Sequence, residues 1–360
     1  MAIGATRMAR LVERLHLSQD CTGRDIFFIT LHSDGPWHYA AGDWLVIPPC
    51  NAECDVDQLL QLLHCSGSES CPGGHLLREI LLRHRTISRV SPAIVDWLMR
   101  SQNVSVGRDV CNGHGVADFL KNHATTLPSW QELLPLMKPL APRVYSIASG
   151  PAGGGGDIRL LVGTAIYHGW DGTMRCGVAS SYLTARLQPG DFLHCRVVQS
   201  RFHLPDDSQT DLILVGPGVG LAPFLGFLEQ RAWLQSMGHT LGRCWLFFGA
   251  RNRATDFFAE KELGQHLASG ILSRLDTAFS RDQLGKIYVQ DKIRENGAEL
   301  WRWLANGAYF YVCGDAMAMA KDVEKTIEEL IATHGEMDST AAKHYVFTLR
   351  SQGRYRRDVY

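Results

Sequence analysis

DLILVGPGVGLAPFLGFL, residues 211–228, sets an apolar run directly against a glycine-rich turn and then a second apolar stretch that opens near Pro223. Leu212, Ile213, Leu214 and Val215 read as a buried strand, because a continuous aliphatic run bounded by turn residues fits a sheet covered on both faces. Gly216, Gly218 and Gly220 then let backbone N–H groups approach a pyrophosphate, and the N-terminus of the following helix favours the anion. The same arrangement also occurs as a plain tight turn, so its neighbours decide the reading.

Toward the C-terminus the alternation repeats. CWLFFGA (244–250) precedes DFFAEKELGQHLA (256–268), and YFYVCG (309–314) precedes AMAKDVEKTIEELIATHG (318–335). Strand–helix repetition of this kind predicts a parallel sheet with crossover helices. Toward the N-terminus the rhythm is different. ARLVERLHL (9–17), DIFFITLH (25–32) and DWLVIP (43–48) are strand-like pieces parted by Gly, Asp and Pro, which predicts an antiparallel barrel or sheet. Helical spacing takes over from about 56 to 140, in VDQLLQLL, LLREILLRH, PAIVDWLM, VADFLKN and WQELLPLM. Strands resume with RVYSIAS (143–149), IRLLVGTAIY (158–167) and DFLHCRVVQ (191–199), and Gly153–Gly156 reads as a flexible turn between the first two. The expected fold is therefore β plus α/β: residues 1–205 as an antiparallel barrel with a helical insertion, and 206–360 as a Rossmann-like domain. A length of 360 residues suits two cores.

Composition narrows the partners. Apolar residues at 45% and charged residues at 20% fit an ordinary globular protein, and a net charge of −1 gives no field to gather nucleic acid or an anionic membrane. The ten cysteines are scattered, and the closest pairs, Cys50 with Cys54 and Cys65 with Cys71, lack the repeated C-x2-C of zinc sites, so no metal is expected. With no leader-like h-region and no apolar run of about 18 residues, a cytoplasmic protein with reduced thiols is expected.

Several segments carry candidate chemistry. In LFFGARN (246–252), Arg251 and Asn252 occupy the place where an NAD-type domain offers a carboxylate to the ribose, which leans toward NADPH. SRDQLGKIYVQ (280–290) places Ser280, Arg281, Lys286, Tyr288 and Gln290 in one short span, a hydroxyl and cationic set suited to a 2′-phosphate; the alternative is a solvated loop. Cys313 falls at the carboxyl edge of its strand, where ligands bind, although a buried cysteine is also simply a small hydrophobe. Arg143 and Tyr145 share one face of a strand and Ser146 takes the other. CGVASSYLTARL (176–187) reads as a turn, a Ser cap and a helix start, either an ordinary cap or, through Ser180 or Ser181, a second pyrophosphate seat.

Taken in order, these segments resemble the FAD and NADPH domains of the diflavin reductases. From about Pro139 the chain is most similar to the sulfite reductase flavoproteins within that group, in PLAPRVYSIAS, GPGVGLAPF, WLFFGA, AFSRDQLGKIYVQDKIRENGAELWRW, YVCGDAMAMAKDVE and RYRRDVY. The resemblance implies an NADPH-dependent FAD enzyme. Arg143, Val144 and the segment Gly177, Val178, Ala179, Ser180 would bind FAD, with Tyr145 packed on the flavin and Ser146 near its N5; Ser88, Leu161, Val162, Gly163 and Tyr167 would be further FAD contacts. Gly218 and Gly220 would cradle the NADPH pyrophosphate, Ser280, Arg281, Lys286, Tyr288 and Gln290 the 2′-phosphate side, and Asp315 the nicotinamide end. Ser146, Cys313 and Asp358 match the family's hydride-transfer residues, and Tyr360 would cover the flavin face until nicotinamide arrives. A C-terminal aromatic is otherwise a frayed end.

Two positions depart from the family: Val219 replaces a Thr and Leu225 an Arg. The flavodoxin-like FMN domain is also absent from the sequence, so the implied acceptor is another molecule, an FMN-containing flavodoxin-like protein or a sulfite reductase haemoprotein. A general NADPH:flavodoxin or ferredoxin reductase is the alternative within the enzyme class. A non-catalytic flavoprotein subunit is the alternative outside it.

Overall fold

The computed structural model describes residues 5–18, 25–111, 113–151 and 157–360; the expected turn at Gly153–Gly156 lies outside them. The chain opens with β1 (Arg7–His16), β2 (Ile26–His32) and β3 (Trp44–Ile47), followed by α1 (Glu53–Leu62), α2 (Leu77–Arg83), α3 (Pro92–Gln102), α4 (Val116–His123) and the short α5 (Trp130–Leu133). Next come β4 (Arg143–Ser146), β5 (Asp157–Gly163), the hairpin β6 (Ile166–His168) and β7 (Met174–Cys176), α6 (Val178–Ser181) and β8 (Phe192–Val198). The last part alternates: β9 (Leu212–Val215), α7 (Ala222–Ser236), β10 (Cys244–Ala250), α8 (Arg253–Asp256), α9 (Glu260–Ala268), β11 (Arg274–Phe279), α10 (Val289–Glu295), α11 (Gly297–Ala305), β12 (Tyr309–Gly314), α12 (Met319–His334), α13 (Ser339–Ser351) and β13 (Tyr355–Val359).

The early strands form a six-stranded sheet in the order β4-β3-β8-β1-β2-β5, with β1–β2 and β2–β5 antiparallel. A separate five-stranded parallel sheet has the order β11-β10-β9-β12-β13. By compactness the chain divides into two units whose bounds differ from a cut at residue 205. One holds the residues up to Leu45, Tyr145–Gly163 and Arg196–Tyr360, and the other holds Val46–Val144 and Thr164–Cys195.

In the first unit the central strands are apolar on both faces. Leu212, Leu214, Leu246, Phe248 and Tyr311 enter one core, while Ile213, Val215, Trp245, Phe247, Phe310 and Val312 enter the other. The period of two in side-chain direction thus feeds two helical layers from one strand sequence. The chain runs outward from β9 to β10 and β11, then returns to place β12 on the other side of β9. Open α/β sheets bind ligands at the carboxyl ends beside such a reversal, where the GPGVG turn and Cys313 lie.

In the second unit, Val56, Leu59, Leu81, Ile94, Leu98, Phe119 and Leu120 form the helical core. Local signals set these helices. Pro92 occupies the first turn of α3, the Ser91 hydroxyl accepts from the Ile94 N–H at 3.2 Å, and Asn103 closes the helix with a positive φ of 51°. No described helix is long and apolar enough to cross a membrane, and the nine described cysteines are free thiols.

Candidate functional site

The turn after β9 divides its glycines by task. Gly218 has φ +56°, and a Cβ there would meet nothing within 4 Å, so its backbone faces open space. Gly220 is a packing glycine, since a Cβ would lie 2.3 Å from the Cys313 carbonyl oxygen. Gly216 is likewise closed off, by the Phe224 ring and the Gly220 carbonyl at 2.7 Å. Of the two glycines expected at the pyrophosphate, Gly218 alone is open to a ligand. Val219 is half-buried and packs toward Gly163, while Leu225 is fully buried in the core beneath α7.

Strand register assembles the polar centre. Cys313 on β12 and Asp358 on β13 are opposite one another in the parallel pair. Ser146 Oγ donates to Asp358 Oδ2 at 2.7 Å, Trp44 Nε1 donates to the same oxygen at 3.2 Å, and Cys313 Sγ lies 4.0 Å from it. Residues from four strands and from opposite ends of the sequence therefore converge on one carboxylate. α7 can approach this region closely because of Gly226, whose Cβ would fall 2.9 Å from the Ser149 carbonyl oxygen.

Asp358 is 9% exposed, and burial raises its carboxyl above the ordinary carboxylate range, while the hydrogen bonds from Ser146 and Trp44 pull the other way. Cys313 is buried, and its thiol is pushed up by that burial and then by the Asp358 charge. It is a neutral S–H at neutral pH rather than a thiolate nucleophile. Tyr360 is not frayed: its N–H donates to the Gly314 carbonyl at 3.1 Å and its carbonyl accepts from the Ala316 N–H at 3.0 Å. Its side chain remains 63% exposed. Asp315 serves α12, with Oδ1 accepting from the Ala318 N–H at 2.7 Å and from the Met319 N–H at 3.3 Å.

At the ends of β10 and β11 the two basic segments are joined. Ser280 N–H donates to the Ala250 carbonyl at 3.0 Å and Arg281 N–H to the Arg251 carbonyl at 2.8 Å. Asp282 locks the junction, accepting from Asn252 Nδ2 at 3.1 Å and from the Arg253 N–H at 3.0 Å. Arg281 and Lys286 are exposed and make no ion pair among the described residues. Tyr288 caps α10, its N–H donating to Asp291 Oδ2 at 2.9 Å, and Gln290 is half-buried in the first turn of that helix.

The second unit has its own cavity of about 380 Å³, lined in part by Ser88, Tyr167, Val178, Ser181, Arg175 and Arg186. Arg89 stacks on the Tyr167 ring at 5.2 Å, and Arg175 is held by Asp118 at 2.7 Å. The Ser180 hydroxyl is engaged, donating to the Gly177 carbonyl and accepting from the Ala165 N–H, both at 3.1 Å. Ser181 donates to the Val178 carbonyl at 3.3 Å. An anion at this turn would thus meet the first N–H groups of α6, at Val178 and Ala179, rather than the serine hydroxyls. Arg143 and Val144 are exposed on β4, whereas Tyr145 is half-buried. Leu161 and Val162 are buried core residues of β5, which leaves only their backbone, and that of Gly163, for any ligand.

Sequence reasoning missed Trp44, Asp282 and Arg175. Trp44 had a usable signal in the run AGDWLVIP, an indole at the mouth of a strand just after a Gly-Asp turn. The pairing of Asp282 with Asn252 and of Arg175 with Asp118 had none, since each depends on residues remote in sequence.

Comparison with known proteins gives the kinds of protein that the chain is similar to. Residues 214–325 match the family model described as the oxidoreductase NAD-binding domain. The sulfite reductase (NADPH) flavoprotein alpha-component of Cronobacter sakazakii is 39% identical over 374 residues, covering 99% of this chain and 61% of that protein. The alpha-component of Yersinia pestis is 37% identical with the same coverage, and that of Serratia proteamaculans is 38% identical over 97% of this chain. The chain spans about three fifths of the length of these relatives, at 61%. The chain is thus similar, along 99% of its length, to the sulfite reductase flavoprotein alpha-components, and at residues 214–325 to the oxidoreductase NAD-binding domain.

Proposed function

We propose that the chain is an NADPH-dependent FAD reductase that delivers electrons to a separate acceptor. The convergence of Ser146, Trp44 and Cys313 on the buried carboxylate of Asp358, beside an open glycine turn, is the observation that carries this reading. Residues 1–205 are assigned to FAD and 206–360 to NADPH.

The residues fit both groups. Gly218 leaves room for a phosphate at the turn before α7, and two exposed cations without ion-pair partners among the described residues, Arg281 and Lys286, suit a 2′-phosphate, with Ser280, Tyr288 and Gln290 beside them in sequence. For FAD, the cavity holding Ser88, Tyr167 and Val178 combines aromatic, hydroxyl and cationic groups, and the start of α6 at Gly177–Ser180 offers N–H donors. Arg143 and Val144 would serve the same cofactor, Tyr145 would pack on its ring system, and Leu161, Val162 and Gly163 would contribute backbone.

The redox chemistry itself belongs to the two cofactors, a two-electron transfer from nicotinamide to flavin followed by single-electron release. The protein's part is orientation and charge. Ser146 holds its hydroxyl proton toward Asp358 Oδ2, the Cys313 thiol stays neutral, and the carboxylate supplies negative charge in a water-poor place. Tyr360, anchored through its backbone with its ring exposed, is suited to cover a reaction face and to swing aside. Asp315, whose Oδ1 accepts from the Ala318 and Met319 N–H groups, would hold the turn leading into α12 at the nicotinamide end.

The acceptor in this reading is an FMN-containing flavodoxin-like protein or a sulfite reductase haemoprotein, in the cytoplasm; that the relatives are named sulfite reductase (NADPH) flavoproteins supports an electron-transfer partner. Purification with a yellow flavin spectrum, followed by ferricyanide reduction driven by NADPH in preference to NADH, tests the proposal. A colourless protein that takes up no FAD would refute it.

A further inference from the structure

We propose that Trp44 is a positioning residue for Asp358, its indole N–H joining Ser146 to fix the carboxylate through Oδ2, so that a proton taken up by this group resides on Oδ1. The inference rests on the reading of Asp358 as part of the reaction centre and extends it to a residue outside the Ser146, Cys313 and Asp358 set.

The geometry starts at a rigid turn. Gly42 has φ +95°, and a Cβ there would fall 1.7 Å from the Phe202 carbonyl oxygen, so only glycine fits. Asp43 is buried and fully employed: Oδ1 accepts from the Ser200 N–H at 2.8 Å and pairs with His203 Nε2 at 2.7 Å, while Oδ2 accepts from the Ala40 N–H at 2.9 Å. The His203 carbonyl is in turn held by Tyr311 Oη at 2.8 Å and by Arg356 Nη1 at 2.7 Å, side chains of β12 and β13. The Asp43 carbonyl accepts from the Ile147 N–H at 3.0 Å, which fixes β3 against β4 one residue from Ser146. Trp44 follows directly on this clamp. Its ring therefore has little freedom, and its N–H is aimed by the same strands that carry Ser146, Cys313 and Asp358.

Two donors on one oxygen have a definite consequence. Oδ2 spends its lone pairs on Ser146 and Trp44, so the remaining place for a proton is Oδ1. The groups facing Asp358 are Trp44 from β3, Ser146 from β4, Cys313 from β12 and the phenol of Tyr360, which lies within its field. Arg356 is directed to the Gly353 and His203 carbonyls and Arg357 to Glu324. No cation pairs with Asp358 among the described residues: burial works against its charge, and the neutral donors Ser146 and Trp44 work for it.

The test uses the 360-residue chain and the indole N–H resonances of its nine tryptophans, one of which disappears in Trp44→Phe. That resonance is expected to titrate with Asp358 in the wild type and to become flat with pH in Asp358→Asn. A resonance indifferent to Asp358→Asn overturns the proposal, and this reading needs no loaded cofactor. In Trp44→Phe, the carboxyl carbon resonance of Asp358 is expected to report a pKa raised by about one unit, because a donor to the charged form is lost. No upward shift also overturns it. If Asp358→Asn leaves flavin reduction intact, the functional reading falls and Trp44's part in it falls too. Slowed reduction with a silent indole overturns the Trp44 assignment alone.

Discussion

Replacing Arg281 and Lys286 by alanine, singly and together, should convert a preference for NADPH into near indifference. Both side chains are exposed and neither is committed to an internal ion pair among the described residues, so removal orphans no buried group. The change in fold stability should stay within about 0.5 kcal/mol. The segment itself is held by backbone, through Arg281 N–H to the Arg251 carbonyl at 2.8 Å and through Asp282 to Asn252 and the Arg253 N–H, and these bonds survive the substitutions. What is lost is attraction to a doubly charged phosphate. At about 4 Å in a water-like dielectric one unit pair is worth about 1 kcal/mol, and a charge-assisted hydrogen bond about 1.5–3 kcal/mol. A middle value of roughly 1.5 kcal/mol per cation corresponds to about tenfold each and about a hundredfold for the pair. NADH has no 2′-phosphate, so its kcat/KM should change by less than about twofold. The assay is ferricyanide reduction with each nucleotide over a range of concentrations, repeated at two ionic strengths because exposed charges are screened. Equal losses for the two nucleotides would remove Arg281 and Lys286 from the 2′-phosphate site.

If Tyr360 covers the flavin face as proposed, removing it should raise NADH use relative to NADPH, measured as the ratio of their kcat/KM values; an unchanged ratio speaks against that role. Gly220→Ala should lower the melting temperature sharply, because backbone of β12 lies 2.3 Å from the new Cβ, whereas Gly218→Ala should cost roughly 1–2 kcal/mol of backbone strain and chiefly weaken nucleotide binding. Thermal melts and NADPH titrations of the two variants separate these effects. Asp358→Asn should slow flavin reduction by roughly a hundredfold. It should also stabilise the fold increasingly with pH. Burial holds the folded carboxyl above its unfolded value, so its contribution is fully present below the unfolded value and is lost as pH rises through the folded one. The melting temperature of the variant minus that of wild type should therefore grow as pH rises from the ordinary carboxylate range through the raised range of the folded Asp358 carboxyl.

The parallel sheet was legible because its strands are short apolar runs with turn residues at both ends, and the helical insertion because each of its helices carries the spacing of a buried stripe. The strand Tyr355–Val359 was not, since RYRRDV lacks an apolar period. Each of its charges is satisfied by a distant partner: Arg356 by the His203 carbonyl, Arg357 by Glu324, and Asp358 by Ser146 and Trp44. The run IRLLVGTAIY reads as one strand but breaks after Gly163, where Thr164 and Ala165 lead into a separate hairpin strand. Residue types at the site were readable from motifs, yet their tasks were not. Spacing does not tell that Gly220 is closed by the Cys313 carbonyl, that the Ser180 hydroxyl is spent on its own turn, or that Asp315 is spent on the backbone of the turn before α12.

On the proposed function, this chain itself carries electrons from NADPH to a bound flavin. Anaerobic mixing of the FAD-loaded protein with one equivalent of NADPH, followed through the visible flavin absorbance, tests it most directly. Stoichiometric bleaching is expected, rapid in the wild type and slow in Asp358→Asn. Flavin absorbance that persists in the wild-type protein after NADPH is added would contradict it.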